Sequence, residues 1–285
     1  MIRRNFVKSL SCAAIFMKKT TPRQASGVQS GDTTLVVLET VAFAEDELGV
    51  TQIAGRLGLT KSAIYRHLQG LVDRGYLVQN PVTSRYLLGP KAYLIGHLAP
   101  AVGDVARAGD GPMREVRDRF GLSTVLTTPL NSGALVVKTV SGTTSIAIGA
   151  RVGSELTLHG SAQGQVMLAF GNRTLVDRTF AGELPALTRY SLTDPAALKE
   201  RIAKVRADGY AVAPEESIIG INGLAAPVFN MRGDLAAVVA IVSSIQYLPA
   251  EPAQDMIDAV LAMARSISTL LGYGYSETGS MRRAR

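Results

Sequence analysis

The chain has 285 residues, 47% of them apolar, a formal charge of +7 and one cysteine, Cys12. That length suits two domains of ordinary size with real cores, and no apolar run reaches the length of a membrane span. A single cysteine near the N-terminus excludes an internal disulfide, and with it a cysteine-ligand metal cluster or cysteine nucleophile in the folded part.

The charge is unevenly placed. Residues 1–30 hold six Lys/Arg and no acid, and residues 31–50 hold five acids and no base. Residues 51–91 hold six bases against Asp73 alone, and residues 280–285 hold three arginines. The remainder is close to neutral. A basic head on a neutral domain is the pattern of a nucleic-acid-binding module joined to a domain with another task.

Residues 1–27 read as a disordered basic tail. Arg3-Arg4-Asn5-Phe6-Val7-Lys8 resembles a twin-arginine export signal. The apolar stretch from Leu10 to Met17 is short, is broken by Ser11, and runs into Lys18-Lys19 without a small-residue cleavage site. The expectation is a cytoplasmic protein with a basic arm, Met17 being the start of translation. Val28 to Ala44 then reads as a first helix, with Leu35, Val36, Leu38 and Val41 supplying its apolar side.

Two short helical patterns follow. Ile53, Ala54 and Leu57 share one face of the first; Ile64, Leu68, Leu71 and Val72 share one face of the second. Between them stand Gly58, which ends one helix, Leu59, and Thr60, which can cap the next. This is the pattern of a helix-turn-helix. The second helix has a polar face that its core does not need: Ser62, Tyr65, Arg66 and Gln69, with Lys61 at its start. All can donate hydrogen bonds, as a helix in the major groove requires. Tyr76–Val78 and Arg85–Leu88 read as two strands joined through Asn80-Pro81 and Thr83-Ser84, which makes a wing. Arg85 is its expected contact to the DNA backbone.

From Val28 to Leu88 the chain resembles the winged helix-turn-helix of the IclR family of bacterial transcription regulators. Ile53-Ala54, Leu57-Gly58-Leu59, Lys61-Ser62, Tyr65-Arg66, Leu68, Leu71 and Gly75-Tyr76-Leu77 carry the likeness. Ala63 stands where the family has Thr, and Ile64 where it has Val. The resemblance implies that Thr60, Lys61, Ser62, Tyr65, Arg66, Gln69 and Arg85 bind a double-stranded DNA operator. The family binds palindromes as dimers or dimers of dimers, so a homodimer or homotetramer is expected.

Beyond the wing, residues 28–89 give way at Gly89-Pro90 to a linker helix over 90–108, interrupted by Pro100 and Gly103. Its apolar side suits dimer contacts. Residues 109–273 read as a second domain, followed by a basic tail over 274–285. Met113–Phe120 is a helix, then come strands at Ser123–Leu130, Ala134–Val140 and Thr144–Ile148. Helices at Ser161–Phe170, Arg173–Phe180 and Asp194–Ala207 follow. Strands Tyr210–Ala213, Gly223–Phe229 and Leu235–Val242 come next, and Pro249 starts a final helix to about Leu271. An antiparallel sheet with flanking helices is an α+β domain of the sensor-like, GAF-like kind, so the whole chain falls in the mixed α/β class.

An enzyme would need a nucleophile, base or metal set. His67 lies in the recognition helix and His97 in the linker, so neither converges with His159, and no histidine has a second metal ligand at suitable spacing. Glu215 and Glu216 would point apart on a strand, with solvent or a salt bridge as their partners. Gly149–Gly153 is a turn and not a phosphate loop. No catalytic residue, metal or cofactor is expected.

The C-terminal half also resembles the IclR family, in its effector-binding domain. Leu158-His159-Gly160-Ser161-Ala162-Gln163-Gly164 and Leu168-Ala169 match one motif, with Gln165 in place of Lys. Glu215-Glu216, Gly220 and Ala225-Ala226-Pro227-Val228-Phe229 match another, with Asn230 in place of Asp. The resemblance implies a small organic effector between the sheet and the helix after the Leu158-His159 motif. Carried over, its lining is Ile148, Ala162, Gln163, Ala213, Ile221, Gly223, Ala240 and Val242. Relatives that bind small keto acids have an Asp, a Cys and two Ser where this chain has Ala213, Gly223, Ala240 and Val242. The site should therefore be more apolar and suit an aromatic body, with Gln163 orienting a polar end. The expected function is a transcription regulator whose operator binding responds to that effector. The alternative is a constitutive DNA-binding protein whose C-terminal domain serves only oligomerisation. A change in operator affinity on adding a ligand separates the two.

Overall fold

The computed structural model describes residues 29–274 apart from 45, 99, 131 and 145–147, and omits the side chains at 29, 97 and 100–103. The tails expected at 1–27 and 274–285 lie outside it, Gly274 excepted. The chain divides into two compact units between Gly103 and Asp104.

The first unit holds α1 (Gln29–Ala42), α2 (Val50–Leu57), α3 (Lys61–Asp73), β1 (Leu77–Gln79), β2 (Tyr86–Leu88) and α4 (Pro90–His97). Local chemistry sets each boundary. Gln52 Oε1 accepts from the Gly49 amide at the start of α2. Gly58 ends that helix in the left-handed region, at φ 65°, where a side chain would be strained. The Thr60 hydroxyl then accepts from the Ala63 amide and caps α3. Ile53, Ile64, Leu68 and Leu77 are fully buried and close one core with Val37 of α1 and Tyr86 of the wing. Leu77 pairs with Leu88, and Leu48 bridges to Tyr86.

The expected single linker helix over 90–108 is corrected: the segment forms α4 and then α5 (Pro100–Ala108). Pro100 lacks the amide a continuing helix would donate; it opens α5 instead. The change of unit falls inside α5, whose Val105 belongs to the core of the second unit.

The second unit continues with α6 (Asp110–Phe120), β3 (Ser123–Pro129), β4 (Ala134–Val140), β5 (Glu155–Leu156), α7 (Ala162–Phe170), α8 (Arg173–Ala181) and α9 (Pro195–Asp208). It ends with β6 (Ala211–Val212), β7 (Ile221–Phe229), β8 (Leu235–Ser244) and α10 (Gln254–Leu270). The strands form one sheet in the order β5-β4-β3-β8-β7-β6, antiparallel throughout. Of the strand expected over 144–148, residues 145–147 lie outside the described residues; the strand that pairs with β4 is β5.

Both faces of this sheet are covered, which is why β3 and β8 bury nearly every residue rather than every second one. Val125, Val238, Ala240 and Val242 face α7, α8 and α9 in one cluster. Leu126, Leu224, Val239 and Ile241 face α6 and α10 in the other. Among the described residues no helix is long and apolar enough to cross a membrane.

Candidate functional site

The first candidate surface is the outer face of α3. Ile64, Leu68 and Leu71 are buried on its inner side, while Lys61, Ser62, Tyr65 and Arg66 are exposed and Gln69 is half-buried. Thr60 stands just before them and contacts the Ser62 hydroxyl at 3.2 Å. The structure thus gathers six of the seven sequence-predicted residues on one helix and its cap.

Arg85 is the seventh, and it is held in a way the sequence did not announce. Its Nη1 donates to the main-chain oxygen of Glu47 at 3.4 Å. The Glu47 carboxylate anchors the wing turn by accepting from Asn80 Nδ2 (3.0 and 3.2 Å) and from Thr83 Oγ1 (2.9 Å). These bonds from Asn80 and Thr83, with the charge of Arg85, hold the Glu47 carboxyl below the usual carboxylate range. Glu47 was the missed residue. It lies more than thirty positions from its partners in a loop, so no periodicity marks it.

The second candidate is the end of the sheet under α7. Ala162, Ala213, Ala240 and Val242 are buried in one apolar cluster, with Ile148 and Ile221 half-buried against it. Gly223 pairs with Val242 across β7 and β8, and its carbonyl accepts from the Ala213 amide at 3.2 Å. A Cβ placed on Gly223 would stand 3.4 Å from Ala162 Cβ and 3.7 Å from Gln163 Oε1. Six of the eight expected lining residues thus belong to one apolar cluster, and Gly223 lies beside Ala162 and Gln163. Gln163 is only 3% exposed, yet its side chain makes no hydrogen bond to any described residue. At the start of α7, Ser161 Oγ takes the Gly164 amide (3.0 Å). The amides of Ala162 and Gln163 have no carbonyl of their own helix to bond.

The expected salt bridge is found for Glu216, while the strand placement of Glu215 and Glu216 is corrected. They lie in the loop between β6 and β7 and not on a strand. Glu215 adopts φ 57°, and Glu216 is buried. Glu216 Oε1 accepts from Arg201 Nη1 of α9 at 2.8 Å, and Oε2 accepts from Gln165 Nε2 at 2.7 Å. Burial pushes the Glu216 carboxyl up, against the pull of Arg201 and of the Arg201 and Gln165 hydrogen bonds. Ser191 Oγ also donates to the Glu216 carbonyl at 2.7 Å, and Ser217 Oγ donates to the carbonyl of Gly160. The loop joining two lining strands is thereby tied to α7 and α9. His159 is structural, its Nε2 donating to the Pro185 carbonyl at 2.9 Å. Among the described residues no three His, Cys, Asp or Glu side chains are grouped to hold a metal.

The family model of the C-terminal part of the bacterial transcriptional regulator IclR matches residues 100–269, and that of the IclR helix-turn-helix domain matches residues 32–81. The chain belongs to the IclR family. Among IclR-family relatives, the HTH-type transcriptional regulator KdgR of Escherichia coli K12 is 29% identical over 231 residues, 80% of this chain and 88% of the relative. The crystal structure of Pseudomonas aeruginosa HmgR is 30% identical with a TM-score of 0.68, covering 86% of this chain and all of that one. An IclR homologue from Microbacterium hydrocarbonoxydans, complexed with 4-hydroxybenzoate, shares the fold at a TM-score of 0.73 and 22% identity, over 85% of this chain and 98% of that one. This IclR-family chain is accordingly a transcription regulator with a helix-turn-helix DNA-binding domain and a C-terminal ligand-binding domain. Its relatives are regulators and not enzymes.

Proposed function

We propose that this regulator reads its operator with Ser62, Tyr65, Arg66 and Gln69, while Thr60, Lys61 and Arg85 contact the backbone. The separation of a buried apolar stripe from an exposed donor-rich stripe on one capped helix supports this. Arg66→Ala should weaken operator binding by about 1–3 kcal/mol and relax preference at one base pair. Lys61→Ala and Arg85→Ala should weaken binding to all sequences and flatten its salt dependence. Titrations of operator and scrambled DNA at several salt concentrations check this. Unchanged operator affinity in all three variants would sink the assignment.

The effector of this reading is a small organic acid with an apolar, most simply aromatic, body. One observation carries it: Gln163 is 3% exposed, its side chain makes no hydrogen bond to any described residue, and its Oε1 lies 3.7 Å from where a Cβ on Gly223 would stand. An amide that holds no partner among the described residues is available to a ligand carboxyl or hydroxyl. Ala213, Ala240 and Val242 offer no charge partner for a keto acid. The related fold holding 4-hydroxybenzoate fits the same class. An aromatic ring buries far more area than a pyruvate-sized acid, at about 25 cal/mol per Å². Gly223→Leu should fill the space and remove the response of operator binding to benzoate-like compounds, leaving affinity without ligand unchanged. Tighter binding of glyoxylate or pyruvate than of benzoates would overturn this.

The regulator acts in the cytoplasm as a homodimer or homotetramer on a palindromic site. Leu94, Ile95 and Leu98 of α4 and the residue after it are half or more exposed, an apolar surface suited to a second copy.

A further inference from the structure

We propose that the first unit carries a second ligand site, an organic-anion groove between α1 and α3 on the side of the recognition helix next to its exposed donor face. The groove encloses about 600 Å³, within the range of small-molecule sites. Its floor is apolar, built from Leu38, Leu71 and Tyr76, with Leu35 exposed at its edge. Its rim is basic: Arg66, His67 and Arg74 all line it, and no acidic residue among the described residues does.

Neither the Arg66 nor the Arg74 side chain has a hydrogen-bond or ion-pair partner among the described residues. They stand eight positions apart, about two turns, so both reach the same groove. His67 is fixed on the wall: its Nδ1 lies 2.8 Å from Thr34 Oγ1, which also reaches the Ser30 carbonyl at 2.9 Å. Two unpaired guanidinium groups over an apolar floor select an anion with an apolar body. A carboxylate can take a guanidinium in two parallel bonds while its body covers Leu38, Leu71 and Tyr76. A bare phosphate would leave that floor in water.

The groove and the DNA face share Arg66. An acid bound there should therefore compete with operator DNA, a step that rests on the reading of Arg66 given above. Sensing would then occur in the head itself as well as in the C-terminal unit.

The full chain carrying Gly223→Leu, which closes the C-terminal site, should be titrated with 2-naphthoate. One equivalent per chain is expected. Two further variants in that background place the site. A Cβ on Gly70 meets nothing within 4 Å, so Gly70→Leu enters the groove without disturbing the helix. Arg74→Gln removes one guanidinium. Each should raise the dissociation constant at least tenfold, and equimolar inorganic phosphate should not displace the ligand. Absence of binding, affinity unchanged in both variants, or displacement by phosphate would overturn the proposal. Binding that responds to both variants but leaves operator affinity unchanged would keep the groove and instead refute the role of Arg66 in reading DNA.

Discussion

Gly164→Ala should lower the melting temperature of the C-terminal unit by roughly 6–12 °C, the shift that about 3 kcal/mol produces in a domain of this size. Helix propensity alone predicts the opposite, because alanine is favoured over glycine inside a helix by about 1 kcal/mol. Packing decides the sign. A Cβ on Gly164 would stand 2.5 Å from the Thr157 carbonyl oxygen and closer still to Leu158 Cα and its carbonyl oxygen. All three are main-chain atoms and cannot rotate away, so α7 would have to lift from the 157–158 segment. That helix carries Ala162 and Gln163, so the ligand response should be lost as well. Gly70→Ala on α3 is the control, because its Cβ meets nothing within 4 Å; it should be neutral or slightly stabilising. A Gly164→Ala protein that melts at or above the parent would show that α7 is not seated as described.

Much of the first unit was legible because its signals are local. Gly58, Thr60 and the stripe of Ile64, Leu68 and Leu71 lie within a few residues of one another and fix α2, the turn and α3. Most sheet strands were legible as apolar runs bounded by turns, whereas β5, two residues long, offers no such run. What stayed hidden depends on contacts distant in sequence. Glu47 meets Asn80 and Thr83 across more than thirty positions. Glu216 meets Gln165 across 51 positions. Read alone, Glu215-Glu216 suggested solvent contact or a salt bridge; the salt bridge of Glu216 exists, but nothing local marks its carboxylate for burial. Gly164 read as a motif residue, but its reason, a helix pressed against main chain, exists only in three dimensions. The lining of the ligand site came from resemblance; that Gly223 faces Ala162 and Gln163 is a property of the packed fold.

Arg201→Leu should destabilise the C-terminal unit in a pH-dependent manner. Glu216 is 3% exposed and Arg201 32% exposed, and Arg201 Nη1 also donates to the Val212 carbonyl at 3.2 Å. Removing one partner of a buried pair costs about 3–5 kcal/mol, and the water around Arg201 puts this pair at or below the lower end. Burial is the largest influence on the Glu216 carboxyl and raises it, while Arg201 opposes that rise. A carboxyl raised in the folded state contributes stability that is fully present below its unfolded value. That contribution is lost as pH rises through its folded value. Without Arg201 the folded value climbs further, so the variant keeps Glu216 neutral to higher pH and then bears a larger cost of ionising it. The difference in melting temperature between parent and variant should thus be small near pH 5 and widen towards pH 8. Adding Glu216→Gln to Arg201→Leu should recover most of the loss and flatten the pH dependence, because no buried charge is then left unpaired. A deficit of equal size at both pH values, or a double variant no more stable than Arg201→Leu, would show that Arg201 acts through packing rather than through its charge.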